Sequence, residues 1–252
     1  MIETPSVPGP QRPIRRAPGI ATGLPPGRPP VDVAIVITGL QTGGAETMLL
    51  KLLPRLLPDV RPHVISLTGD GDLGAAMREA GVPVESLGAS IASAPIALAR
   101  LLGRLRALRP DIVQTFLYHG DLVGGLAARL ARVPAVVWNV RNSGMRWGEM
   151  KPTTRVAIRA CAMLSGVVPD RIVCCSRAAT LRHAAAGYRA DRFVHIANGV
   201  DLGRFSPDPA ARRTVRAALD IDQEAEVVGH FARLDPQKDH ATMLRAFRML
   251  RD

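Results

Sequence analysis

From residue 31 onward, short runs rich in Val and Ile alternate with longer stretches of helical period, and this alternation leaves the chain few folds to adopt. Runs at 31–38, 63–68, 82–87, 111–116, 135–140, 171–175 and 192–196 have the length and β-branched content of strands. Between them, 45–57, 73–80, 94–108, 122–131, 154–165 and 178–187 repeat apolar residues three to four apart, as helices with one buried face do. Strands separated by helices build βαβ units rather than hairpins, and the resulting parallel sheet is covered on both faces. The spacing predicts an α/β, Rossmann-like domain over residues 31–198.

Residues 1–30 have no such pattern. They carry nine prolines with Arg12, Arg15, Arg16 and Arg28, a composition expected to form a disordered basic tail, and they lack the apolar run of a signal peptide. No later stretch reaches the ~18 apolar residues of a membrane-spanning helix. Cys161, Cys174 and Cys175 have no metal-ligand spacing and cannot all pair, which points to a reducing, cytoplasmic setting. The net charge of +11 favours anionic partners without choosing among nucleotides, acidic lipid and nucleic acid. Aromatic residues make up only 4% of the chain, which argues against base stacking, so no nucleic-acid partner is expected.

Ligands of parallel sheets bind beyond the carboxyl ends of the strands, so chemistry is sought in the loops that follow them. The first, Gly39-Leu40-Gln41-Thr42-Gly43-Gly44-Ala45-Glu46, fits neither the dinucleotide G-x-G-x-x-G nor a P-loop. It is either a tight strand-to-helix turn with Glu46 in the first helical turn or a close approach of backbone to phosphate. Leu117-Tyr118-His119-Gly120-Asp121 is a polar cluster at the sheet mouth, in which His119 either handles an acceptor hydroxyl or starts the next helix. The loop 139–149 carries Arg141, Asn142, Arg146 and Trp147 and is either acceptor-facing or a solvated loop with one anchoring aromatic. The leucines of 94–108, ringed by Arg100, Arg104, Arg106 and Arg109, suit either packing on the sheet or peripheral contact with an anionic membrane.

Asn198-Gly199 leads out of the domain, because no partner strand follows it. Beyond the linker 199–208, a helix at 210–219, a strand at 226–231 opening a second sheet, and a helix at 239–250 are expected. Arg233 and Lys238, with Pro236 between them, are cations close enough to need either solvent or a shared anion such as a diphosphate.

Several of these stretches resemble glycosyltransferase family 4. Gly43-Gly44-Ala45-Glu46 looks like its GGAE opening. The order strand, Ser176-Arg177, helix, Gly187, strand, Asn198-Gly199-Val200-Asp201, Arg204-Phe205-Ser206-Pro207 is similar over about forty residues. Arg233-Leu234 and Pro236-Gln237-Lys238 match the donor grip, while His230-Phe231-Ala232 vary its lead-in. The resemblance implies a GT-B architecture with an acceptor-side domain at 31–198 and the start of a nucleotide-sugar domain at 209–252, the second Rossmann-like domain being incomplete. It implies a nucleotide-diphosphate sugar as donor, a hydroxyl acceptor with a lipid-linked one as an option, retention of configuration, and no cofactor or metal. Gly43, Gly44, Glu46, Arg141, Asn198, Arg233 and Lys238 would face the substrates, with His119 and Asn142 nearest the reacting groups. In many family members a histidine stands where Asn142 lies, and asparagine cannot serve as a base. The family's later pair of glutamates has no counterpart in residues 1–252, so the chain as it stands is expected to be an inactive piece of such an enzyme. A non-catalytic half-protein is the alternative; an epimerase or oxidoreductase is disfavoured by the broken glycine fingerprint.

Overall fold

A computed structural model describes residues 29–89, 94–142, 147–148, 150–232, 234–235 and 238–251. Nearly all of the expected tail, together with Arg146 and Arg233, lies outside the described residues. The elements run β1 (Val31–Ile37), α1 (Gly44–Leu56), β2 (Val60–Ser66), α2 (Leu73–Glu79), β3 (Val84–Ser86), α3 (Ala94–Leu108), β4 (Ile112–Phe116) and α4 (Tyr118–Leu130). They continue with β5 (Ala135–Val140), α5 (Pro152–Leu164), β6 (Arg171–Cys174), α6 (Arg177–Ala185), β7 (Phe193–His195), α7 (Pro209–Ala218) and α8 (His240–Arg251).

The strands form the expected parallel sheet, in the order β3-β2-β1-β4-β5-β6-β7. From β1 the chain steps toward β3 through α1 and α2. It then returns through α3 to β4 and steps the other way through α4, α5 and α6. Right-handed crossovers therefore put α1 and α2 on one face and the remaining four helices on the other. The larger core lies under those four and includes Val36, Leu101, Leu105, Val113, Trp138 and Ile158. A smaller core under α1 and α2 gathers Val33, Ile35, Ile37, Leu49, Leu53 and Phe116. That second core ends at β4: on the same face Val137 and Val173 are half-buried and Val194 is 37% exposed.

The leucines of α3 pack on the sheet, with Leu101 and Leu105 0% and 1% exposed. Of its arginines, Arg100 donates to the Leu87 carbonyl at 2.7 Å and Arg104 pairs with Glu85 at 2.7 Å, while Arg106 and Arg109 are exposed.

Two expectations need correction. Residues 226–231 form no strand; Val227 and Val228 are 57% and 64% exposed. Strand propensity reflects packing on a pleated surface, and this segment has no ladder to join. The helix expected from 122 begins at Tyr118, because Asp121 N–H donates to the Leu117 carbonyl at 2.7 Å and closes an earlier turn. His119 is thus a helical residue rather than part of a loop.

Candidate functional site

Strand order reverses between β1 and β4, so the exits from these two strands diverge and open a crevice at the carboxyl edge of the sheet. Register brings the strand ends level: Ile37 lies beside Phe116, Phe116 beside Asn139, and Val140 beside Cys174.

On the β1 side, Gly43 is the N-cap of α1 and offers no side-chain cap. Glu46 compensates by folding back: a Cβ added at Gly43 would stand 2.3 Å from its Oε2. The first N–H groups of a helix lack internal partners and carry a partial positive charge, so this end suits an anion. In this structure the chain's own carboxylate sits beside it. At Gly44 a Cβ would meet nothing within 4 Å, which leaves the approach open.

On the β4 side, Leu117 holds φ 68° and ψ 155°, a backbone state that costs a non-glycine residue about 1–3 kcal/mol. This turn sends α4 across the end of β1. Gly120 N–H donates to Thr38 Oγ1 at 3.2 Å, and a Cβ at Gly120 would come 3.3 Å from the Val36 carbonyl oxygen. Further along, Cβ atoms at Gly124 and Gly125 would stand 2.8 Å from Thr115 Cγ2 and 2.5 Å from Trp138 Nε1. The helix can lie this close only because Gly120, Gly124 and Gly125 bear no side chains at these contacts. His119 is half-buried at its start, and its Nε2 is buried with no hydrogen-bond partner among the described residues. Burial pulls its pKa below the ordinary imidazole value, which keeps the ring neutral at pH 7.

Asp121 received no role in the sequence reading, yet it holds the crevice together from beneath. Its side chain is fully buried, and Oδ1 accepts from the Thr115 hydroxyl at 2.5 Å and from Asn139 N–H at 3.4 Å. Oδ2 has no partner among the described residues. Desolvation outweighs those two hydrogen bonds and pushes its pKa up to about 7. A buried Asp two turns from any surface charge was the available signal, but sequence alone does not show which polar residues of a helix start point inward.

Just past β5, the half-buried Arg141 places its guanidinium 6.0 Å over the Phe116 ring, on the α1 side of the sheet. Burial lowers its pKa from the ordinary arginine value, while its carbonyl accepts from Cys175 Sγ at 3.7 Å. Asn142 follows, also half-buried. Gly43, Gly44, Glu46, His119, Arg141 and Asn142 thus line the carboxyl edge of β1, β4 and β5. Two of the remaining positions do not join them. Asn198 is exposed beyond β7, Lys238 is exposed just before α8, and Arg233 lies outside the described residues. Among the described residues no group of three or more His, Cys, Asp or Glu could hold a metal ion. A cavity of about 540 Å³ lies elsewhere, between the outer face of α1 and the linker, lined by Lys51, Arg55, Asp201 and Phe205 among others.

A neutral imidazole, a cation held over an aromatic ring and a helix start together can receive an anion and orient a hydroxyl. The sequence model of Glycosyltransferase Family 4 matches residues 42–204. EpsF of Bacillus subtilis strain 168, a protein with a provisional glycosyltransferase name, is 28% identical over 220 residues, 83% of this chain and 56% of the relative. A GDP-mannose-dependent alpha-(1-6)-phosphatidylinositol monomannoside mannosyltransferase of Mycolicibacterium smegmatis is 32% identical over 130 residues, 52% of this chain and 32% of that protein. Among solved structures, HepE of Anabaena in complex with UDP superposes with a TM-score of 0.70 at 22% identity, over 86% of this chain and 57% of HepE. The chain thus spans about half the length, or less, of the relatives it matches. The sheet described above corresponds to the first Rossmann-like domain of a GT-B fold, and the chain belongs to glycosyltransferase family 4.

Proposed function

We propose that this chain is the acceptor-side part of an enzyme that transfers a sugar from a nucleotide-diphosphate sugar to a hydroxyl acceptor. The observation that supports the reading is the reversal of strand order between β1 and β4, the place where such sheets bind ligands, with Gly43, Gly44, His119 and Arg141 at that edge inside the segment that matches the family. HepE has been solved with UDP and with UDP-glucose, which supports a nucleotide sugar as the donor class.

In this reading the acceptor enters the crevice, where the neutral His119 orients its hydroxyl, Asn142 hydrogen-bonds the sugar and Arg141 attracts an anionic group. Glu46 moves off the start of α1 as the donor phosphates approach. Arg233 and Lys238 meet the charge that develops on the departing diphosphate, and fixed cations aimed at developing charge lower such barriers. The transfer retains anomeric configuration and uses no metal.

The test is made in a polypeptide that joins this sequence to a nucleotide-sugar domain of the family. Arg233→Ala and Lys238→Ala are each expected to lower turnover about a hundredfold, the scale of losing one charge-stabilising donor. Undiminished turnover in both variants removes the diphosphate assignment. Turnover unaffected by a chelator, and an α-configured product from an α-configured donor by NMR, are the outcomes expected for the other two claims.

A further inference from the structure

Along α1, Met48, Lys51, Leu52 and Arg55 recur at three- and four-residue steps and so share one face, while Ala45, Leu49 and Leu53 turn inward. The linker stretch 199–205 lies opposite that face, and the cavity of about 540 Å³ separates the two. Its volume is that of a small-molecule site rather than of a packing defect.

The contacts across the gap are long. Arg55 Nη2 stands 3.8 Å from Asp201 Oδ2, beyond the ~2.7–2.9 Å of a charge-assisted hydrogen bond. Lys51 Nζ and Arg204 Cζ lie 6.0 Å and 5.4 Å from the centre of the Phe205 ring. Two segments that simply clasp each other close over their apolar side chains. Here Leu52, Val200 and Phe205 remain 37%, 68% and 56% exposed, and the ring stands open between two cations.

Charge decides the class of occupant. The lining carries Lys51, Arg55 and Arg204 against one carboxylate, Asp201. That carboxylate is already engaged: Oδ1 accepts from Gly203 N–H at 3.1 Å and from Arg204 N–H at 3.2 Å, and Oδ2 faces Arg55. Among the described residues no carboxylate pairs with Lys51 or Arg204. A molecule with a planar apolar body and one acidic group finds a partner for each part, because the ring receives the body and Lys and Arg receive the charge. The chain's own residues 1–28 suit the cavity poorly, since they carry Arg12, Arg15, Arg16 and Arg28 against the single acid Glu3, and like charges repel.

We propose that the cavity between α1 and the linker binds a small aromatic anion, with its ring beside Phe205 and its acidic group between Lys51 and Arg204. The site is distinct from the crevice: Lys51 lies about 10 Å of helix rise along α1 from Gly44. A ligand there joins α1 to the linker, and because α1 begins at the crevice, it acts on the crevice from outside, as an effector does.

The test is an NMR titration of the isotope-labelled chain with phenyl phosphate, inorganic phosphate and benzyl alcohol, which supply ring and charge together, charge alone and ring alone. Phenyl phosphate is expected to shift the amides of Gly199, Gly203 and Phe205 and to bind about tenfold more tightly than either of the others. Lys51→Ala should weaken it about tenfold and Phe205→Ala about fivefold, the scale of one charged hydrogen bond and one aromatic contact. Both side chains are exposed, so neither change threatens folding. Arg106→Ala, on the exposed side of α3, should leave binding unchanged. The proposal is overturned if phenyl phosphate leaves the Gly199 and Gly203 amides unmoved, if inorganic phosphate or benzyl alcohol binds as tightly, or if both cavity variants bind as the parent does. Shifts at Gly43, Gly44 and Asn142 in place of the linker amides would put the anion in the crevice; they would overturn the cavity site and leave the proposed reaction standing.

Discussion

Asp121→Asn separates a buried neutral acid from a buried carboxylate. The side chain is wholly enclosed, and burial lifts its pKa from an ordinary 3.8 to about 7. At about 1.4 kcal/mol for each tenfold change in proton affinity, that difference is worth roughly 4 kcal/mol. The sign is fixed by which state holds the proton more tightly. An unfolded Asp releases its proton near 3.9, whereas the folded protein keeps it until about pH 7. The stabilisation is therefore complete below about pH 4, declines as pH rises, and is gone above about pH 7. Asparagine keeps an oxygen for the Thr115 hydroxyl and Asn139 N–H and puts an uncharged donor in place of Oδ2. Urea denaturation of parent and variant from pH 4 to 8 should show their difference in unfolding free energy shifting by about 4 kcal/mol toward the variant, which becomes the more stable protein at pH 8. A difference that stays constant with pH would refute the neutral acid, and a variant weaker than the parent at pH 8 would refute the claim that asparagine fits. Asp121→Ala, which empties the site, should be weaker at every pH.

Gly125→Ala sets a Cβ 2.5 Å from Trp138 Nε1 and 2.7 Å from Val168 Cγ1, so α4 must lift; a loss of about 1–3 kcal/mol and a weaker near-ultraviolet tryptophan signal are expected by denaturation and circular dichroism. Gly43→Ala should behave differently, because the atom it meets is the end of the flexible Glu46 side chain and the backbone there is extended; stability should stay within about 0.5 kcal/mol of the parent. His183 donates from Nδ1 to the Ala179 carbonyl at 2.7 Å and so accepts at Nε2 from the Tyr118 hydroxyl at 3.0 Å, while burial depresses its pKa. The stability linked to its neutral form is present above about pH 6.5 and lost as pH falls through the lower folded value, so His183→Gln should flatten that part of the acid limb in a melting-temperature series.

The alternation of Val and Ile runs with helical stretches was enough to read β1 through β7, since each strand meets a neighbour and local preference agrees with tertiary demand. At 226–231 the same preference found no neighbour, and the segment stayed irregular. The start of α4 was misread because Leu117-Tyr118-His119-Gly120-Asp121 is polar in composition, while contact with β1 through Gly120 and Thr38 draws it into the helix. For the candidate site, the loops after β1 and β5 were legible from their glycines and arginines. Asp121 was not, because inward orientation is a property of the packed helix. Large apolar residues on a helix normally point to the core, which holds for Leu101 and Leu105, but α5 presses inward largely with alanines and a cysteine and leaves Val156 and Met163 outside.

The line of glycines along α4 also limits how the pocket can diversify. With the helix backbone resting on β1, β4 and β5 at Gly120, Gly124 and Gly125, no side-chain volume remains at those three positions to trade, and a bulkier residue there cannot reshape the floor without dislodging the helix. Variation in what the crevice accepts has to enter from its rim, through the segments after β1 and β5, where length and sequence can change over an unaltered base. Redesign of specificity in this protein should therefore recombine those two segments and leave the floor untouched.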